Sequence, residues 1–267
     1  MVTKKVVVRE SFYVALLASL LIFMWLNFDP VLGAIFAVML IFGYLLRIAD
    51  YIFVDRKVNI PLVRQNLFKS ALYGLISYVA FLGISSIVMG ALGKTNLFAM
   101  GSVLQLLAEA QPVFAGSVFL TFVGWAILIP NVESYFSFVT MVEYIVSAFG
   151  KKFNIQLSPT NLGYIFLSVI LGVAFAFFHL TAKIGLGETG FNEALILVFL
   201  FGFVSAMVVA FTKEGAATIF MHVFANAISI GLSFALFTTS QLLIYGGIAF
   251  GILFVLTKSW NIKVIRG

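Results

Sequence analysis

Long apolar blocks separated by short polar connections dominate this chain. Each block approaches the roughly 20 apolar residues that an α-helix needs to cross the bilayer core. The pattern predicts an all-α, polytopic membrane bundle of about eight helices, and no repeat or low-complexity tract divides residues 1–267 into separate domains. The predicted spans are Ser11–Phe28, Val31–Ala49, Ser70–Ala91, Pro112–Phe149, Leu162–Ala182, Glu193–Thr212, Gly215–Phe237 and Gln241–Thr257.

Composition agrees with this pattern. Hydrophobic residues make up 63% of the chain and charged residues only 10%, whereas soluble domains carry about 25% charged residues. A soluble α/β enzyme is therefore excluded. Cysteine is absent, which excludes disulfides, thiolate metal sites and a cysteine nucleophile. The first block follows basic residues, but it is too long for a signal-peptide core, and we expect it to stay as a helix.

The distribution of basic residues predicts the orientation of the helices. Cytoplasmic loops of membrane proteins collect Lys and Arg. Eight helices starting from a cytoplasmic N-terminus place all but two of the 16 Lys and Arg residues inside, the exceptions being Lys94 and Lys183. Both termini are therefore expected inside. The net charge of +6 favours anionic lipid headgroups as partners, and nothing in the sequence suggests nucleic acid.

Two segments have unusual features. Residues Asp50–Asn66 could form an amphipathic piece at the cytoplasmic interface or an ordinary loop, and the sequence leaves both open. The fourth block is too long for one simple crossing and contains Pro130, which removes a backbone donor. We expect this helix to bend near Pro130 and to continue beyond the cytoplasmic face.

Ionisable side chains inside apolar helices are costly and mark function by default. The candidates are Glu133 and the two histidines, His179 and His222. Asn226 follows His222 by one helical turn and shares its face. Taken singly, each residue could instead be a satisfied structural group. Taken together, they favour a functional site.

Small and polar residues continue the faces that carry these groups. Such stripes are also ordinary helix-packing surfaces, so packing is the alternative interpretation. We expect the stripes to enclose a hydrated cavity between the fourth, fifth and seventh helices, reached from the cytoplasm. The stripes are Ser137, Thr140, Tyr144 and Ser147 after Glu133; Ser168, Gly172 and Ala176 before His179; and Gly215, Thr218, Ser229 and Ser233 around His222 and Asn226.

The order of these residues resembles the CAAX prenyl protease and bacteriocin-processing (Abi) family of intramembrane proteases. The family pattern is Glu-Glu-x-x-x-Arg, then Phe-x-x-x-His, then His-x-x-x-Asn or Asp. Here Phe175 precedes His179 at the second motif, and His222 precedes Asn226 at the third. In the first motif Glu133 is kept, but Ser134 and Phe138 replace the second Glu and the Arg. The resemblance covers roughly residues 112–235.

The resemblance implies a glutamate-dependent endopeptidase in a prokaryotic cell membrane, acting on a membrane-associated peptide or a lipidated protein. Glu133 and His179 would activate a water, and His222 with Asn226 would stabilise the oxyanion. No cofactor is expected, and zinc held by Glu133, His179 and His222 is the disfavoured alternative. Loss of the second Glu and the Arg together could remove an ion pair without leaving a buried charge.

Three questions stay open at this point. A non-catalytic scaffold, immunity factor or complex subunit is the main alternative function, and a small transporter or proton path is a third. Counted from the cytoplasmic helix ends, Glu133 and His179 lie equally deep, whereas His222 lies shallower. The three meet only if the fourth and fifth helices protrude or the seventh begins deep. We expect protrusion, because the fourth block is overlong.

Overall fold

The computed structural model describes residues 58–64, 66–94, 122–185 and 193–241, together with residues 244 and 248; for 180–185 it describes the backbone alone. Within these ranges the chain is helical, with no β-strand. The first two predicted spans lie outside the described residues, as does nearly all of the last. The described helices are α1 (Leu67–Ala91), α2 (Phe122–Phe153), α3 (Leu162–Gly185), α4 (Glu193–Thr212) and α5 (Ala216–Ser233).

These five helices are the third to seventh predicted spans, and all are long and apolar enough to cross a membrane. This agrees with the prediction of a multi-pass membrane protein; the total of eight helices stays a prediction. Large apolar side chains on the outer faces are exposed, as expected of surfaces in contact with lipid. Examples are Ile76, Ile84, Ile87, Phe166, Phe177 and Phe211.

Local chemistry sets the helix ends. The Asn66 side chain accepts a hydrogen bond from the Lys69 backbone N–H, which caps α1. The Asn161 side chain accepts one from Tyr164 and caps α3 in the same way. At the end of α2, Asn154 adopts the left-handed conformation (φ 52°) in which helices commonly stop. Asn154 and Asn161 therefore fix where α2 ends and where α3 begins.

Contacts between helix ends show that the helices alternate in direction. At one end, Glu214 accepts the Arg64 backbone N–H, and the Lys213 ammonium donates to the Leu157 carbonyl. At the opposite end, Lys94 and Glu193 form an ion pair at 2.6 Å. The first end also carries Lys69, Lys151 and Lys152, and we call it the basic end. Its assignment to the cytoplasm stays a prediction from the charge distribution.

The helix α2 is continuous through Pro130, and its winding changes on both sides of that residue. Residues Phe122–Leu128 and Tyr135–Thr140 form π-helical turns, with ordinary α-helix between them. Such turns accommodate an extra residue and often accompany functional positions. Glu133 lies on the short α-helical stretch between them. Proline therefore coincides with altered winding, and the helix does not end there.

Close packing at glycine brings the helices together. A Cβ at Gly74 of α1 would lie 2.5 Å from Cβ of Phe220 and 2.8 Å from the Ala217 carbonyl oxygen on α5. A Cβ at Gly172 of α3 would lie 2.8 Å from the Phe199 carbonyl oxygen on α4. For Gly172, the packing interpretation of its stripe is therefore correct, because this position meets the sixth predicted span.

Candidate functional site

Glu133 lies in the interior of the bundle, with its side chain 7% exposed. Its Oε2 atom is fully buried and has no hydrogen-bond partner among the described residues. Burying a carboxylate without a partner is expensive, so such groups are rare outside functional sites. The immediate surroundings of Oε2 therefore decide what the site can do.

Both histidines approach this same oxygen. The His179 Nε2 atom and the His222 Nε2 atom each lie 3.9 Å from Glu133 Oε2. This distance is too long for a direct hydrogen bond. The three ionisable residues predicted from the sequence thus come together, although they belong to α2, α3 and α5.

A backbone contact determines the tautomer of His179. Its Nδ1 atom lies 2.9 Å from the carbonyl oxygen of Phe175, one turn earlier on α3. A carbonyl can only accept, so Nδ1 carries the hydrogen and donates it. In the neutral ring the Nε2 atom then presents a lone pair toward Glu133. The His179 side chain is 29% exposed, which makes it the most accessible of the three.

Ser134 orients His222. The Ser134 hydroxyl lies 3.0 Å from His222 Nδ1, and both side chains are buried. This contact holds the ring with Nε2 toward Glu133. Ser134 stands where the resembling family has its second glutamate, and the sequence alone indicated no contact for it. A hydroxyl next to an intramembrane carboxylate is the only signal that could have suggested one.

Asn226 contacts the backbone of α2. Its side-chain amide donates to the Trp125 carbonyl oxygen at 2.8 Å, across the interface between α5 and the first π-helical turn of α2. Asn226 is buried and shares the His222 face, as predicted. One amide hydrogen is used by Trp125, and the nitrogen carries a second one.

Aromatic rings surround the two histidines. Phe138 is fully buried, and its ring lies 5.1 Å from the ring of Phe175. The Phe175 ring lies 4.4 Å from His179, and Phe201 of α4 lies 4.9 Å from His222. Ser134 is neutral and Phe138 is apolar, so replacing the second Glu and the Arg of the first motif leaves no unpaired charge at these two positions.

Two further buried carboxylates bind the segment 58–64 and were not among the predicted site residues. Glu143 Oε1 accepts the Ile60 N–H at 2.6 Å, and Glu214 Oε2 accepts the Arg64 N–H at 2.9 Å. Ser147 accepts the Val58 N–H at 3.0 Å. The described part of the predicted interfacial segment, residues 58–64, is therefore an ordinary loop anchored to the bundle through buried Ile60.

The same loop explains how the three site residues meet. The backbone N–H groups of Gly215 and Ala216 donate to the carbonyls of Pro61 and Leu62. These bonds satisfy backbone donors at the start of α5 that have no partner within the helix. A Cβ at Gly215 would lie 2.7 Å from Val139. The start of α5 therefore lies beside Val139, well before the end of α2 at Phe153, and this offset agrees equally with a deep start of α5 and with the expected protrusion of α2. How far α2 passes the lipid headgroups stays a prediction.

Metal binding was the disfavoured alternative. Among the described residues, no group of three His, Asp or Glu side chains has the arrangement of a metal site. Zinc ligands lie about 2.0–2.2 Å from the ion, so tetrahedral ligands are closer together than the 3.9 Å separations around Glu133. The absence of zinc stays a prediction.

Comparison with known proteins provides no relative from which a role could be transferred. No family model, no curated protein and no solved structure matches this chain.

Proposed function

We propose that this chain is a membrane-embedded endopeptidase resembling the CAAX protease-like family, and that it hydrolyses a peptide bond with a water activated by Glu133 and His179. The observation that supports it is the position of Glu133 Oε2, buried and 3.9 Å from both histidine Nε2 atoms. A carboxylate and an imidazole lone pair directed at one point are the groups that general-base catalysis requires.

The distribution of hydrogens and lone pairs supports a water between Glu133 and His179. Glu133 as a carboxylate presents only lone pairs, and neutral His179 presents a lone pair at Nε2, so the two cannot bond directly. A water between them donates one hydrogen to each. Its own lone pairs then remain for the carbonyl carbon of a substrate. Access is from the His179 side, because His179 is more exposed than Glu133 or His222.

The reaction balances with these groups alone. The water oxygen forms a bond to the carbonyl carbon while one of its protons passes to Glu133. When Ser134 donates its hydroxyl hydrogen to Nδ1, neutral His222 carries its own hydrogen on Nε2 and can stabilise the oxyanion. The proton on Glu133 then moves to the leaving nitrogen as the C–N bond breaks. The products are a new carboxyl terminus and a new amine.

Peptide mapping of whole membranes tests this proposal without knowledge of the substrate. Cells carry the native chain or Glu133→Gln, and the N- and C-terminal peptides of the membrane proteome are compared. We expect specific termini to be lost with Glu133→Gln and with His179→Ala. If no terminus disappears in either variant, the chain does not cleave, and a scaffold or complex subunit becomes the better explanation.

The matched control is Glu143→Gln. Glu143 is a second buried glutamate on α2, but its carboxylate binds the Ile60 N–H rather than facing the histidines. Glutamine keeps an acceptor oxygen at that place, so the variant is expected to fold and to cleave. Equal loss of termini in Glu143→Gln and Glu133→Gln would show a general effect of neutralising buried carboxylates and would contradict the assigned role of Glu133.

A further inference from the structure

A groove of about 510 Å³ lies at the basic end between α1 and α4. Its walls come from the second to fourth turns of α1, the end of α4 and the loop before α1. They include Arg64, Tyr73, Ile76, Ala80, Phe211 and Lys213, and neither Glu133 nor a histidine belongs to them. The groove is therefore separate from the proposed catalytic site.

Two cations meet at its polar end. The Lys213 ammonium is held there by its hydrogen bond to the Leu157 carbonyl and retains further hydrogens to donate. Burial, together with the nearby positive charge of Arg64, lowers the pKa of Lys213. In the part of the chain that the structure describes, no carboxylate forms an ion pair with either cation. The two positive charges are thus close to each other without an anion between them.

The adjacent acidic residue does not neutralise this end. Glu214 is buried, and its carboxylate accepts the Arg64 backbone N–H instead of reaching the guanidinium. A ligand with a negative charge would therefore gain from both cations. Charge complementarity at the polar end requires an anionic group.

The remaining walls require an apolar group. Ile76 is 44% exposed and Phe211 is 68% exposed, although both lie on membrane-spanning helices. From Tyr73 to Ala80 the α1 wall extends roughly 10 Å along the helix at 1.5 Å per residue. The cations lie at the helix ends, where lipid phosphates are found, and the apolar wall runs toward the bilayer centre.

We propose that this groove binds one anionic diacyl phospholipid, with its phosphate between Arg64 and Lys213 and an acyl chain along Ile76, Ala80 and Phe211. Inorganic phosphate could bind the two cations but would make no contact with the apolar walls. A zwitterionic lipid could pack against the walls but would bring no net negative charge. The cations and the apolar walls together therefore select an anionic lipid in the leaflet at the basic end.

Native mass spectrometry of the full chain in detergent tests the site, with dioleoyl phosphatidylglycerol as the probe. We expect one phosphatidylglycerol to be retained in preference to dioleoyl phosphatidylcholine. Each cation near a headgroup contributes about fivefold in affinity, so Arg64→Gln with Lys213→Gln should weaken binding roughly 25-fold. Lys69→Gln is the matched control, because Lys69 is an exposed cation at the same end outside the groove.

A wall variant keeps the test decisive if the charge variant folds poorly. Ala80→Trp fills the groove and leaves both cations in place, so phosphatidylglycerol should be lost while the unfolding temperature is kept. Equal retention of phosphatidylcholine, equal loss of phosphatidylglycerol in Lys69→Gln, or complete displacement of the lipid by inorganic phosphate would each overturn the proposal. Glu133→Gln should retain the lipid, because the proposal does not depend on catalysis.

Discussion

Glu143 offers a quantitative test of how the loop 58–64 is held. Its carboxylate accepts the Ile60 N–H at 2.6 Å, and Ile60 is 1% exposed. Replacement by alanine removes a charged acceptor and leaves a buried backbone donor without that partner. Hydrogen bonds to charged groups contribute about 1.5–3 kcal/mol, so we expect Glu143→Ala to destabilise the closed loop by about 2 kcal/mol.

Trypsin cleavage after Arg64 measures the opening of this loop. When opening and closing are fast relative to cleavage, the cleavage rate follows the population of the open form. A change of about 2 kcal/mol raises that population roughly 30-fold. The assay uses full-length protein in detergent, with fragments followed by mass spectrometry and the unfolding temperature measured in parallel.

The control is Glu143→Gln, which keeps a neutral acceptor and should raise cleavage only severalfold. Ser147→Ala, which removes the acceptor of the Val58 N–H, should fall between the two variants. If Glu143→Ala is cleaved no faster than the native chain, the Ile60 contact does not hold the loop, and the explanation for where α5 begins is wrong.

Substitutions at three other positions test the contacts in and around the site. Gly74→Ala should lower stability by about 1–2 kcal/mol in thermal unfolding, because overlap with Phe220 outweighs the helix-propensity gain; a more stable variant would contradict the close contact. Ser134→Ala should shift the tautomer populations of His222 in ¹⁵N NMR spectra, and unchanged populations would exclude its orienting role. Phe138→Ala should cost about 3 kcal/mol in denaturant unfolding, and Phe138→Leu much less; equal losses would argue against ring packing.

Much of the candidate site could be predicted, because ionisable groups in apolar helices are few and costly. That cost alone singles out Glu133, His179 and His222, and the structure brings both histidines to one oxygen atom of Glu133. Ser134 was missed because a serine next to a glutamate has no costly charge that would distinguish it. Its contact with His222 depends on how α2 and α5 pack, which spacing within one helix does not reveal.

Glu143 was missed for a different reason. The stripe after Glu133 was drawn at the ordinary helical period, which selects Thr140 and Tyr144. The π-helical turn Tyr135–Thr140 takes up more residues per turn and rotates the positions that follow it. Glu143 is fully buried and Tyr144 only partly buried, while Thr140 and Ser147 of the stripe are buried as predicted. The role of Glu143 depends on the loop 58–64, whose Ile60 N–H it accepts, and spacing within α2 does not reveal that contact.

The sequence by itself determined that helices of bilayer length form, because long apolar blocks with few charges have no other stable arrangement in lipid. It also identified the ionisable residues, because their cost is local. Only the tertiary structure decided where α5 begins relative to α2, since the loop 58–64 satisfies its first backbone donors beside Val139. The meeting of Glu133 with two histidines depends on that offset, which no property of a single helix can specify.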